Sequence, residues 1–412
     1  MKNLVGAAMF AQSGGPTSVI NASAAGVFTE ALASKNITAV YGAAHGIKGI
    51  LDEKFYDISK EDPKEIELMK YTPSSALGSV RYKLKDYSVD PTDYNRLLEV
   101  FKKYNVRYFF YNGGNDSMDT CNKISKFMAN SGYDCNVMGV PKTIDNDLYG
   151  TDHCPGFASA AKYIATTAME VSLDAHVYNT GLVCIMEIMG RNAGWLTAAA
   201  ALANVKGHAV DLIYLPEVPF DIDKFVADVK AVCDKNDNKC LVAVSEGIKF
   251  ANGGYVGEFT ASSTDLFGHA QLGGVGDMLA NIIKERLGIK TRGVELNLMQ
   301  RCAAHCASAT DVEEAFEAGK QAVKAAVSGT TDYMVAYERK PGDKYEIEYK
   351  LVPLSACANT EKTVPLSWIT DNGTNVTKEF IDYALPLIQG ESRTPCEDGL
   401  PRFSKLKKVL VK

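Results

Sequence analysis

The chain has 412 residues, enough for two or three domains around a large buried core. Its 44 Lys and Arg against 50 Asp and Glu leave a net charge of -6, so no global field draws it to nucleic acid or to an acidic membrane surface, and an anionic ligand must be held by locally placed cations. Hydrophobic residues at 46% and charged residues at 23% exclude both a disordered chain and a membrane-embedded one.

In chain order, the apolar run 4–11 ends in Gln12-Ser13-Gly14-Gly15-Pro16, a turn and not a small-residue cleavage site, so it reads as a first strand and not as a signal peptide. Further strands are expected at 38–42, 106–111, 136–140, 182–186, 212–215, 241–244 and 294–298. Between them, 19–32, 118–129, 157–171, 222–232, 278–287 and 312–326 carry apolar residues at helical spacing. Alternation of this kind predicts an α/β protein of parallel sheets with helices on both faces, its functional residues just after the strands. The chain is too long for one such sheet, and a first crossover is expected near Pro155. Residues 333–352 read as two strands joined at Pro341-Gly342-Asp343, and the tail after Thr370 as a helix followed by a basic, solvated end with Arg402, Lys405, Lys407, Lys408 and Lys412.

The longest apolar stretches, such as 195–205, fall well short of the roughly 18 residues that span a bilayer. Ten cysteines without a CxxC pair suit reduced thiols in a cytoplasmic setting. Cys302, His305 and Cys306 are one helical turn apart, but structural zinc wants four ligands, and a packed helix face is the expected reading.

The loops behind the strands carry the chemistry. Gly14-Gly15-Pro16-Thr17 offers unobstructed backbone N–H groups at a helix start, a seat for phosphate that matches neither the P-loop nor the dinucleotide pattern. Gly113-Gly114-Asn115-Asp116-Ser117 pairs glycines that admit a ligand with an acid near a metal or phosphate. Pro141-Lys142-Thr143-Ile144-Asp145-Asn146-Asp147 is the richest segment: a cation, a hydroxyl and two carboxylates suffice for phosphoryl transfer. Met189-Gly190-Arg191 sets an arginine fork at a helix start, Glu217 is placed to accept from sugar hydroxyls, and Arg292 and Arg301 flank the strand expected at 294–298 as a clamp for a dianion.

Together with Leu77-Gly78-Ser79-Val80-Arg81 and Gln300-Arg301, these segments resemble the phosphofructokinase family, in family order from about residue 4 to about 330. The resemblance implies two doubly wound parallel-sheet domains with the active site in the cleft between them. It places residues 1–155, rejoined by 303–370, on the phosphate-donor side and 156–302, rejoined by 371–412, on the fructose 6-phosphate side. It implies transfer of a phosphoryl group to O1 of fructose 6-phosphate, with Asp145 as general base, Thr143 at the transferring group and Asp147 in support. Ile144, Met189, Gly190, Arg191, Glu217 and the segment Leu298, Met299, Gln300 and Arg301 would hold the sugar phosphate. Gly14, Gly15, Arg81, Gly114 and Lys142 would hold the donor, and Asn115 and Asp116 would face Mg2+. Arg292 would reach the 6-phosphate from a neighbouring subunit of a homodimer or homotetramer.

Family members using ATP commonly have Gly at the positions of Asp116 and Lys142, whereas diphosphate-using members have Asp and Lys. The physics agrees: a carboxylate at Asp116 repels the α-phosphate of ATP, and the Lys142 ammonium neutralises a departing phosphate. Diphosphate is therefore the expected donor, with an ATP-dependent enzyme and a non-catalytic sugar-phosphate-binding subunit as rivals. Three positions depart from the family pattern. Asn115 replaces an Asp used toward magnesium, Leu298 a His or Tyr, and Leu182 an interface arginine.

Overall fold

The computed structural model describes residues 4–177, 179–207, 209–259, 274–342, 344–358 and 360–411. Its main strands are β1 Gly6–Gln12, β2 Ile37–Ala43, β3 Phe55–Asp57, β4 Val106–Gly113, β5 Asn136–Pro141, β6 Leu182–Ile188, β7 Leu212–Tyr214, β8 Lys239–Ser245, β9 Thr291–Glu295, β10 Tyr333–Arg339 and β11 Ile347–Pro353. They form a seven-stranded sheet in the order β11-β10-β5-β4-β1-β2-β3 and a four-stranded sheet in the order β7-β8-β6-β9. The second sheet is parallel throughout; the first is parallel except at its two edges, where β3 and β11 run antiparallel to their neighbours.

Each sheet is buried on both faces, and alternate residues of one strand serve different cores. Met9 and Phe109 pack with helices Thr92–Lys103 and Asn115–Asn130, while Phe10 and Phe110 pack with Ile20–Ala33 and Ala309–Val327. In the second sheet Met186 and Ala243 join a core with helices Phe157–Ala175 and Lys378–Ala384, and Ile185 and Val242 face Ile222–Cys233 and Val275–Leu287. The helix Ala309–Val327 returns late in the chain to lie on Ile20–Ala33. The two approach so closely that a Cβ on Gly26 would stand 1.9 Å from the carbonyl oxygen of Phe316, and one on Gly319 2.1 Å from that of Ser23. Glycine is required at both crossings by distance alone.

The expected strands and helices are all present, with four corrections. The strand expected at 294–298 lies at Thr291–Glu295, because Asn297 turns into the left-handed region (φ 41°) and starts a 3-10 turn, Asn297–Arg301. Cys302, His305 and Cys306 sit in and beside short 3-10 turns and not on a helix face, and no cluster of three metal-ligating side chains exists among the described residues. The helix Thr92–Lys103 was not expected, although Tyr94, Leu97 and Phe101 give it a buried stripe. The basic tail is not simply solvated. Arg402 pairs with Glu65, the backbone N–H groups of Lys407 and Lys408 donate to the buried carboxylate of Glu61, and Leu410 bridges Tyr56 on β3. Lys412, and Asp343 in the β10–β11 turn, lie outside the described residues. Among the described residues no helix is long and apolar enough to cross a membrane.

Candidate active site

A cavity of about 610 Å³ opens between the two sheets. The first sheet lines it with the residues behind β1, β4 and β5, the second with those behind β6 and β8 and with Arg301 beyond β9, and Arg81 and Glu361 join from irregular segments. Of the residues singled out in the sequence, Gly14, Gly15, Arg81, Gly114, Asn115, Asp116, Lys142, Thr143, Ile144, Asp145, Asp147, Met189, Arg191 and Arg301 reach this wall.

The glycine loop works differently from the expected bare helix start. The helix begins only at Ile20, and the N–H of Gly14 points to the carbonyl of Val80 at 3.4 Å. What the glycines provide is room for cations. A Cβ on Gly14, which has φ 76°, would stand 3.2 Å from Lys142 Nζ, and one on Gly15 3.0 Å from Arg301 Nη1. Lys142 Nζ donates to the carbonyl of Gly15 at 2.6 Å. Burial brings its ammonium down to about 8, with Asp145 opposing the fall and Arg301 adding to it.

Opposite these cations stand the carboxylates. The Thr143 hydroxyl donates to Asp145 Oδ2 at 3.3 Å and accepts from the Asp145 N–H at 3.1 Å, which fixes the loop and the carboxylate together. Burial raises the Asp145 carboxyl, while Lys142, Thr143, Arg191 and Arg301 hold it back. Asp147 is pushed up to about 7 by burial and by its neighbours Asp145 and Glu361. Asn115 Nδ2 donates to Asp147 Oδ2 at 2.8 Å, and this leaves Asn115 Oδ1 buried without a partner. An orphaned carbonyl oxygen on Asn115 and the carboxylate of the next residue, Asp116, both on the cavity wall, are hard oxygen donors of the kind that suits Mg2+, which binds through one or two protein oxygens and takes the rest from phosphates and water.

Six singled-out residues lie off the cavity wall. Gly190 adjoins it, and its N–H donates to Glu246 Oε1 at 3.2 Å. Glu217 is turned away, its Oε1 accepting from the N–H groups of Gly194 and Val364 at 2.8 and 2.9 Å, so it holds two chain segments together. Gln300 Oε1 accepts from the Met189 N–H at 3.2 Å and braces that loop. Leu298 and Met299 are 54% and 53% exposed on the 3-10 turn, outside the cavity. Arg292 is exposed within β9, the edge strand, so the two arginines do not flank a strand and only Arg301 enters this chain's own cavity.

In exchange the cavity contains Asn192, Glu246 and Glu361, which sequence reasoning missed. Glu246 follows β8 directly, in Ser245-Glu246-Gly247, and obeys the same post-strand rule as the others; burial raises it to about 7. Glu361 arrives from the irregular segment beyond β11 and accepts from Asn192 Nδ2 at 2.9 Å.

A buried lysine and half-buried arginines facing half-buried carboxylates in a cleft between two largely parallel sheets are the equipment of phosphoryl transfer. The chain belongs to the phosphofructokinase family, whose family model, Phosphofructokinase, matches residues 7–326. It is 44% identical over 408 residues to a pyrophosphate--fructose 6-phosphate 1-phosphotransferase of Halomonas elongata, covering 98% of this chain and 97% of the relative. To the protein of the same name from Xanthomonas campestris it is 45% identical over 407 residues, covering 98% and 96%. The crystal structure of a pyrophosphate-dependent phosphofructokinase from Nitrosospira multiformis superposes with a TM-score of 0.90 at 41% identity, covering 98% of this chain and 97% of that one.

Proposed function

We propose that this chain transfers a phosphoryl group reversibly between inorganic diphosphate and O1 of fructose 6-phosphate, giving fructose 1,6-bisphosphate and phosphate. The observation that carries the donor choice is the buried ammonium of Lys142 seated on the Gly14-Gly15 loop, with Asp116 at the head of the helix Asn115–Asn130 on the same wall. A compact, highly charged donor profits from that ammonium and from Arg81 and Arg301. A nucleotide would have to carry its α-phosphate past the Asp116 carboxylate.

In this reading Asp145 takes the proton from the sugar's 1-hydroxyl, and the Thr143 hydroxyl holds its carboxylate in place. Lys142 offsets the charge that develops on the leaving phosphate. Met189, Arg191, Glu246 and Arg301 orient the sugar phosphate from the second sheet's side. Asn115 Oδ1 and Asp116 would hold Mg2+, which when bound neutralises diphosphate oxygens. We divide the chain into a donor unit of residues 1–155 and 303–370 and a sugar unit of 156–302 and 371–412, except that Trp368 and Ile369 pack in the second sheet's core and residues 402–411 return to the first sheet's side. The enzyme is read as a cytoplasmic homo-oligomer in which Arg292 serves a neighbouring copy.

A coupled assay of the purified protein with diphosphate or ATP at equal magnesium tests this reading. Turnover with diphosphate and negligible turnover with ATP is expected, and Asp116→Gly is expected to make ATP a detectable donor. Faster turnover of ATP by the wild type would replace the diphosphate reading with the ATP-dependent one, and inactivity with both would favour a binding subunit.

A further inference from the structure

Asp145 and Asp147 both line the cavity, and the residue between them points the other way. Asn146 is fully buried and has a left-handed backbone, φ 55°, a conformation that Asn tolerates better than most residues. Its amide is used at both ends: Nδ2 donates to the hydroxyl of Tyr383 at 2.8 Å, and Oδ1 accepts from the N–H of Cys154 at 2.9 Å. The Tyr383 hydroxyl in turn donates to the carbonyl of Asp152 at 2.8 Å. One phenol oxygen therefore ties together residues 146 and 152, the two flanks of the loop that leads out of the carboxylate pair.

Tyr383 is foreign to that loop. It belongs to the helix Lys378–Ala384, packed in the core of the second sheet, where its ring lies 5.3 Å from the rings of both Trp195 and Trp368. The Arg339 guanidinium stands 4.9 Å over the same ring, donates to the Tyr383 carbonyl at 3.0 Å and pairs with Asp152 at 3.0 Å. The hydroxyl is thus immobilised by a frame that the catalytic loop does not itself build.

We infer that Tyr383 is a positioning residue for the reaction: by pinning Asn146 inward it aims the carboxylates on either side of it, Asp145 and Asp147, outward at the cleft. Adjacent side chains of one backbone stretch are coupled, so an Asn146 amide released from its partners lets both carboxylates rotate away from the position where the proton is taken. The inference rests on the reading of Asp145 as the base, and it makes a contact between the second sheet's core and the first sheet's loop part of that base's geometry.

The test uses full-length protein carrying Tyr383→Phe, Asn146→Gly and the two together, assayed with whichever donor the wild type uses. Glycine keeps the left-handed backbone while removing the amide. Each single change is expected to lower kcat roughly tenfold, the size of one buried hydrogen bond, while the KM of both substrates stays within about twofold. The double variant is expected to lose clearly less than the product of the two single losses, because both break the Asn146–Tyr383 bond and each breaks only one further bond, to Cys154 or to Asp152. A Tyr383→Phe kcat within twofold of wild type, or a double-variant loss equal to the product of the two, would overturn the inference. Should Tyr383→Phe fail to fold, Asn146→Gly reads the same link from the loop side, and a wild-type kcat there overturns it equally. Wild-type turnover reports on the functional reading separately, since the inference is judged only from ratios to wild type.

Discussion

The two sides of the cleft are built on different plans. On the first sheet three neighbouring strands, β1, β4 and β5, each end in a loop that reaches the cavity within a few residues, so its cavity groups come in blocks: Ser13 to Pro16, Gly114 to Ser117, and Lys142 to Asp145 with Asp147. The second sheet offers fewer groups from more dispersed places: Met189, Arg191 and Asn192 behind β6, Glu246 alone behind β8 and Arg301 alone beyond β9. A side that concentrates cations, donors and carboxylates suits charge that develops during the reaction. A side made of separate side chains on braced segments suits gripping a substrate whose charge does not change.

If that division holds, removing a group from the first side lowers turnover, and removing one from the second weakens sugar binding. The largest effect is expected at Asp145. Asp145→Ser should lower kcat by roughly two to four orders of magnitude with fructose 6-phosphate binding nearly intact, and near-normal turnover would take the base away from the first side. Arg301 comes next, and it sits where the two plans meet, since its guanidinium also backs Gly15. Arg301→Ala should raise the KM for the sugar phosphate roughly 10- to 100-fold, as for a lost charge-assisted hydrogen bond. A rise confined to the diphosphate KM would move Arg301 to the donor side.

Arg292→Ala sharpens the same comparison from outside. Arg292 lies on the exposed edge strand, so any rise in sugar KM on its removal means that the second side is completed by another copy of the chain, and sedimentation of the active species would show that copy.

The smallest expected effect is a pH limb. Lys142 is held down near 8 in the folded protein, and its charge is lost as pH rises through that value. The kcat/KM for diphosphate should therefore fall on the alkaline side of about pH 8, while sugar binding measured without donor should not follow. Lys142→Met should lower diphosphate activity and erase that limb; a limb that persists in the variant belongs to another group.

The same contrast decides what could be read from the sequence. Post-strand position was enough wherever a loop enters the cavity directly, and it located all three blocks of the first sheet as well as Met189 and Arg191. It failed where a side chain's direction is set by partners far away. Glu217 follows β7 as Glu246 follows β8, and both look equally fit to meet a sugar. Only the N–H groups of Gly194 and Val364, the latter distant in sequence, turn Glu217 into a brace. Glu361 had no periodic or post-strand signal, because its segment is irregular and is placed by bonds such as that from the Lys362 N–H to the carbonyl of Asp147. Arg292 and Leu298 were misplaced by a strand drawn three residues late, an error that the left-handed turn at Asn297 explains.

The close crossing of Ile20–Ala33 with Ala309–Val327 also bears on how the protein is made. The first sheet holds the earliest strands, β1 and β2, yet β10 and the helix that covers one of its faces come from the last third of the chain. On the ribosome, at about 5–20 residues per second, the apolar surface of Ala24, Val27 and Phe28 must wait on the order of 15–60 s for its cover. The second sheet, drawn from the unbroken stretch 182–295, can assemble its strands meanwhile. Both sheets therefore wait for late parts of the chain, the first for residues 309–353 and the second for the helix Lys378–Ala384 that closes one of its cores.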